Sequence, residues 1–98
     1  MTIEKNVNGT ELTLTLAGRL DTTTAPQLET ELKRSINGIE SLVMNFVTLE
    51  YLSSAGLRVL LAAQKVMNKQ GKMVIRNVNE TISEVFEITG FSDILTIE

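Results

Sequence analysis

The stretch Tyr51-Leu52-Ser53-Ser54-Ala55-Gly56-Leu57-Arg58-Val59-Leu60-Leu61 carries an apolar segment into two serines, a glycine and the first turns of an amphipathic helix. Such a strand-to-helix junction leaves the first backbone N–H groups of the helix without intrahelical acceptors, and a hydroxyl can satisfy them. The same donors, with the helix dipole, favour a phosphate placed on one of the hydroxyls. Two readings of the serines therefore stand side by side: helix cap or covalent switch.

Upstream, Ser41-Leu42-Val43-Met44-Asn45-Phe46-Val47 is nearly continuous apolar sequence, the pattern of a strand at the centre of a sheet, and Thr48 to Leu52 lead from it into the serines. Downstream, the helix runs to about Lys69 and closes at Gln70-Gly71, followed by a short strand, Lys72 to Arg76. Asn77 or Asn79 caps a third helix carrying Ile82, Val85 and Phe86, and Gly90 supplies its left-handed stop. Phe91 to Asp93 add one more turn before the apolar segment Ile94 to Ile97.

On the N-terminal side, Thr2 to Val7 and Glu11 to Ala17 flank Asn8-Gly9, a dipeptide that readily takes positive φ at both turn positions, and Leu12, Leu14 and Leu16 alternate with polar residues. This is a β-hairpin with one buried face. Gly18-Arg19-Leu20-Asp21 leaves the sheet, and Thr24-Ala25-Pro26-Gln27 has the spacing of a capping box, with proline tolerated in the first turn. The helix it starts buries Ala25, Leu28, Leu32 and Ile36, reaches about Ile36 and ends at Asn37-Gly38. An opening hairpin followed by alternating helices and strands predicts an α/β fold: one domain, residues 1–98, with a mixed β-sheet and helices packed on it.

Composition narrows the function. With 98 residues there is room for one compact core, and 43% apolar residues with a single proline mark a globular chain. Cysteine and histidine are both absent, which removes disulfides, Cys/His metal sites and every scheme that needs an imidazole base. No metal or cofactor is expected. Nine basic and twelve acidic residues give a net charge of −3, and the basic residues are scattered along the sequence, so neither nucleic acid nor an anionic membrane is an expected partner. No apolar run approaches the roughly 20 residues that span a bilayer, and Met1-Thr2-Ile3-Glu4-Lys5 lacks the apolar region of a signal peptide, so a cytoplasmic location is expected.

Stepping the second helix by about 100° per residue places Gly56, Val59, Leu60, Ala63, Val66 and Met67 on one arc, the expected buried side. Ser54, Leu57, Arg58, Leu61 and Lys65 share the other, a mixture of hydroxyl, apolar and cationic groups suited to a partner. Leu57 and Leu61 admit two readings: packing against a neighbouring helix of the same domain, or an exposed docking ridge beside Ser54.

The whole-chain pattern resembles the STAS domain of bacterial anti-sigma factor antagonists. Gly18-Arg19-Leu20-Asp21 with Thr24-Ala25 resembles that family's first loop and helix start, Leu42 to Phe46 its central strand, Ser54-Ala55-Gly56-Leu57 its phosphorylation motif, and Thr89-Gly90-Phe91 its C-terminal turn. The resemblance implies that Ser54 is phosphorylated by a partner that is both serine kinase and anti-sigma factor. The unphosphorylated form binds that partner and frees a sigma factor, and a serine phosphatase resets the switch. With the phased face of the second helix, the expected partner-binding residues are Asp21, Thr24, Ser53, Ser54, Leu57, Arg58, Leu61 and Lys65. Asp21 either orients the kinase partner or serves as a turn and cap residue. The family commonly has aspartate just before the phosphorylated serine and at the end of the central strand, where this chain has Ser53 and Asn45. That departure makes Ser53 a second candidate acceptor, although it is also the better placed of the two serines to cap.

Two other function classes stand against this reading. A structural or regulatory STAS subunit of a transporter or signalling scaffold would use the same helix with no sigma factor involved. A small nucleotide-binding enzyme finds no support, because Gly71-Lys72 stands alone before a strand and no Gly-x-x-x-x-Gly-Lys-Ser/Thr loop is present. The chain is expected to be a substrate and binding partner, not an enzyme.

Overall fold

The computed structural model describes residues 1–98. Strand β1, Thr2–Asn8, pairs antiparallel with β2, Glu11–Leu20, and the Asn8–Glu11 pair closes the hairpin. Only Gly9 takes positive φ in this turn, at 62°, so Asn8 belongs to the strand and the expected Asn-Gly turn shifts by one residue. After helix α1, Ala25–Ser35, strand β3, Ser41–Leu52, lies parallel to β2. Helix α2, Ser54–Gln70, then leads to β4, Lys72–Arg76, parallel to β3 on its other side. The sheet order is β1-β2-β3-β4. Helix α3, Glu80–Thr89, and a 3-10 turn, Phe91–Asp93, return the chain to an isolated parallel bridge between Ile97 and Ile75.

Each boundary has a local cause. The Asn79 side chain accepts from Ile82 N at 2.8 Å to start α3, and Gly90, at φ 79°, ends it in the left-handed region. Helix α1 starts differently from the capping box expected at Thr24. The Thr24 hydroxyl accepts from Asp21 N and donates to Arg19 O, both at 2.8 Å, and it caps no helix donor. Asp21 instead turns the chain ahead of the helix, its Oδ1 accepting from Thr23 N at 3.0 Å and Thr24 N at 3.2 Å. A short aspartate side chain that bonds the backbone two residues ahead makes a tight turn by itself, which leaves the threonine to brace it. Gln27, the other half of the expected box, donates to Met1 O instead.

Register explains the apolar run of β3. Leu12, Leu14, Leu42, Met44, Met73 and Ile75 share one face, where the helices pack and a single core cluster forms. Val43 and Val74 point to the other face and are still 7% and 8% exposed, β3 being interior and β4 being flanked on its outer side by the C-terminal segment that bridges Ile75. Central position, not helices on both faces, accounts for the run.

Glycine fixes how close α2 lies to the sheet. A Cβ on Gly56 would stand 2.6 Å from Leu52 Cδ1 and 2.7 Å from Leu20 Cγ, both side chains being almost wholly buried. Gly56→Ala is therefore expected to lower the unfolding free energy by about 1–3 kcal/mol through overpacking, measured by urea denaturation with the m-value unchanged.

Candidate functional site

The site forms where β2 and β3 end side by side. Leu20 and Leu52 are register partners, and Ser53 N donates to Leu20 O at 2.9 Å, which ties the start of α2 to the β2–α1 loop. Strand β3 carries one extra residue between Asn45 and Thr48 and another between Leu49 and Tyr51 relative to β2. Bulges of this kind turn a strand and re-aim its end. Asn45 anchors the first of them, its Oδ1 accepting from Val47 N at 3.1 Å and from Asn77 Nδ2 at 2.9 Å. Asn77 in turn holds a φ of 60°. Asn45 is thus occupied in bracing the first bulge of β3 against the end of β4.

The two serines differ sharply. Ser53 occupies the N-cap position with extended backbone, and its carbonyl accepts from Leu57 N at 3.0 Å. Its hydroxyl, however, is buried and bonds to no protein group. This corrects the expectation that Ser53 caps α2, since its hydroxyl accepts from no helix donor. Ser54, the first residue of α2, is exposed. No side chain caps the first turn and no acid lies in it, so the positive end of the helix dipole meets Ser54 uncompensated.

Asp21 and Thr24 form a braced loop on the neighbouring strand end. Besides the two backbone donors, Asp21 Oδ1 accepts from Thr23 Oγ1 at 2.8 Å. The carboxyl is held below the usual carboxylate range, first by that hydroxyl and then by the Thr24 and Thr23 N–H groups, with partial desolvation acting in the opposite direction. Arg19 Nε lies 3.7 Å from Asp21 Oδ2, and the Arg19 guanidinium stacks over the Tyr51 ring at 4.2 Å. This Arg19–Tyr51 pair was not foreseen from the sequence. The two residues are register partners only because of the second bulge, which no local pattern announces.

Along α2 the expected face divides. Arg58 and Lys65 are exposed and Leu61 is half-buried, whereas Leu57 is 4% exposed and belongs to the core cluster. Leu57 is thus corrected from docking ridge to core. Val66, expected inside, is 40% exposed, and Gln64 is 7% exposed. Helical stepping gave the right spacing but placed the buried arc a little too far toward α1. Lys65 follows Ser54 by eleven positions, about 16 Å along the axis, so it shares the helix with Ser54 without touching it. Between α1 and α2 lies an apolar cleft of about 140 Å³ whose walls include Leu32, Ile36, Val59 and Val66, remote from the serines.

The sequence profile of the STAS domain matches residues 2–98, and the chain belongs to the STAS domain family. Among its curated relatives, BtrV of Bordetella bronchiseptica, named as an anti-sigma factor antagonist, is 39% identical over 84 residues, covering 84% of this chain and 72% of the relative. The anti-sigma-B factor antagonist of Staphylococcus aureus is 31% identical over 84 residues, covering 84% and 78%. Two solved structures share the fold. An anti-sigma factor antagonist from Mycobacterium paratuberculosis superposes with a TM-score of 0.89 at 21% identity, covering 98% of this chain and 83% of that one. The antagonist SpoIIAA in its unphosphorylated form gives 0.78 at 18% identity, covering 99% and 87%. The named relatives are regulatory proteins.

Leu57→Ala is expected to cost about 2–5 kcal/mol in urea denaturation, whereas Leu61→Lys should cost about 1 kcal/mol. Asp21 carries a pH signature. Its folded carboxyl titrates below its unfolded value, so its bracing of the loop is complete above about pH 4 and fades as pH falls through the lowered value. Carboxyl-carbon NMR titration should show this, with protection of the Thr24 and Ala25 amides fading in the same window and Asp21→Asn abolishing that dependence.

Proposed function

We propose that this chain is an anti-sigma factor antagonist that works by partner switching in the cytoplasm. The observation that carries this reading is the contrast at the start of α2: an exposed Ser54 at an uncapped, acid-free helix end, beside a Ser53 whose hydroxyl is buried. Unphosphorylated, the chain binds an anti-sigma factor with serine kinase activity through the Asp21–Thr24 loop, Ser54, Arg58, Leu61 and Lys65, and the sigma factor is released. In the kinase step the Ser54 hydroxyl oxygen attacks the γ-phosphorus of ATP, ADP leaves, and the hydroxyl proton is lost. The chain is substrate here and supplies no catalytic group. A serine phosphatase hydrolyses the ester and restores the binding form.

Physical chemistry supports a switch at this position. Phosphorylation adds roughly −1.5 to −2 charges at pH 7, and a helix N-terminus accommodates an anion without cost to the fold. Against a partner surface shaped for Arg58 and Lys65, the same charge is repelled and must be desolvated. A penalty of about 3 kcal/mol suffices for a loss of affinity on the order of a hundredfold.

Incubation with the cognate kinase and ATP, followed by mass mapping, should place phosphate on Ser54 and none on Ser53. Calorimetry should then show phosphorylated chain binding the partner on the order of a hundredfold more weakly than Ser54→Ala, which stays in the binding form. Phosphate on neither serine, or equal affinities, would overturn this reading. Selective recovery of membrane-transport subunits would favour a transporter or scaffold role instead.

A further inference from the structure

Helices α2 and α3 present ridges of opposite charge to solvent. The outward side of α2 bears Arg58, Lys65 and Lys69, all exposed, on a helix with no acid. That of α3 bears Glu80, Glu84 and Glu87, all exposed, on a helix with no base. The segregation extends past the helices, for residues 54–76 hold five cations and no acid, whereas residues 77–98 hold five acids and no base. A net charge of −3 conceals this, and helical phasing gathers what is scattered in sequence. None of the six ridge residues forms an ion pair within the chain, where the pairs are Lys5–Glu31, Arg19–Asp21, Lys33–Glu29 and Arg76–Glu98.

Each ridge also carries apolar surface. Ile88 is 85% exposed beside Glu84 and Glu87, and half-buried Leu61 flanks the cations. Lys65–Lys69 and Glu80–Glu84 are both spaced by four residues, about 6 Å along a helix. The two helices cover the same face of the sheet, since Leu60, Met67, Ile82 and Phe86 enter one core.

We propose that this face binds a second copy of the chain, the cationic ridge of α2 lying on the anionic ridge of α3 from the other copy, twice, about a two-fold axis between the helices. The partner is a second copy because both halves of the complementary pair stand on one molecule, as an interface related by a two-fold axis requires. The pairing covers Arg58 and Lys65, so self-association and partner binding exclude one another; that consequence rests on the proposed function, whereas the association does not.

Sedimentation velocity on the full chain tests it. At about 50 mM salt the wild type should dimerise with a Kd on the order of 10–100 μM, weakened at least about tenfold at roughly 0.5 M salt. Lys65→Glu/Lys69→Glu has two acidic ridges and Glu84→Lys/Glu87→Lys two basic ones, so each variant alone should remain monomeric. Mixed in equal amounts, they should form a heterodimer. Ile88→Asp added to either partner should weaken that heterodimer about tenfold, which distinguishes docking from attraction between opposite net charges. A wild type that stays monomeric near 1 mM at low salt, a mixture that stays monomeric, or an open-ended series of oligomers would each overturn the proposal.

Discussion

The first turn of α2 lies against the ends of β2 and β3 because residue 56 has no side chain. Any Cβ there would enter the space held by Leu20 and Leu52, the last core residues of their strands and partners in register. That close approach lets Leu57 and Leu60 reach the core within the same turn and keeps Ser53 N on Leu20 O. It also sets Ser54 beside the Asp21–Thr24 loop. A helix seated farther out would keep its sequence motif and lose the neighbourhood that gives the motif meaning.

The resulting site belongs to backbone ends more than to side chains. Parallel strands in an open α/β sheet place their carboxyl ends, and the helix starts that follow, along one rim, and sites gather there. Here the start of α3 is capped by Asn79, whereas no side chain caps α1 or α2, and Asp21 turns the chain just ahead of α1. The difference lies in the side chains at the junctions: an Asx turn, an asparagine cap, and a serine whose hydroxyl turns inward.

Much of the fold was legible because its signals are local. The alternation of Leu12, Leu14 and Leu16, the asparagine before α3 and the glycine after it depend on neighbours within a few residues, and all behave as their chemistry dictates. The misreadings share another cause. Thr24 has the sequence of a cap, but its hydroxyl is taken up by Asp21 N and Arg19 O, outside the helix. Leu57 sits on the flank of the predicted arc, and only the seating of α2 against the sheet decides that it is core. The extra residues in β3 arise from pairing with a strand more than twenty residues away, so the Arg19–Tyr51 stack and the brace at Asn45 could not be read from adjacent residues. The family motif singled out Ser54 as the expected acceptor, and the exposure of Ser54 against the buried Ser53 hydroxyl was not legible in the sequence.

Strand β1 lies at the open margin of the sheet, with unpaired backbone groups on one side. Such a margin invites pairing with another chain. Lys5 faces the helices, where Glu31 lies 4.0 Å away, and Glu4 faces the bare side of the sheet. If two β1 margins met antiparallel with their faces matched, the register centred on residue 5 would set lysine against lysine. The register centred on residue 4 would set glutamate against glutamate and lysine against Ile3. Each join brings like charges together or strips water from a cation beside an alkyl group. Two charged residues near the N-terminus thus disfavour these edge-to-edge joins between copies of the chain.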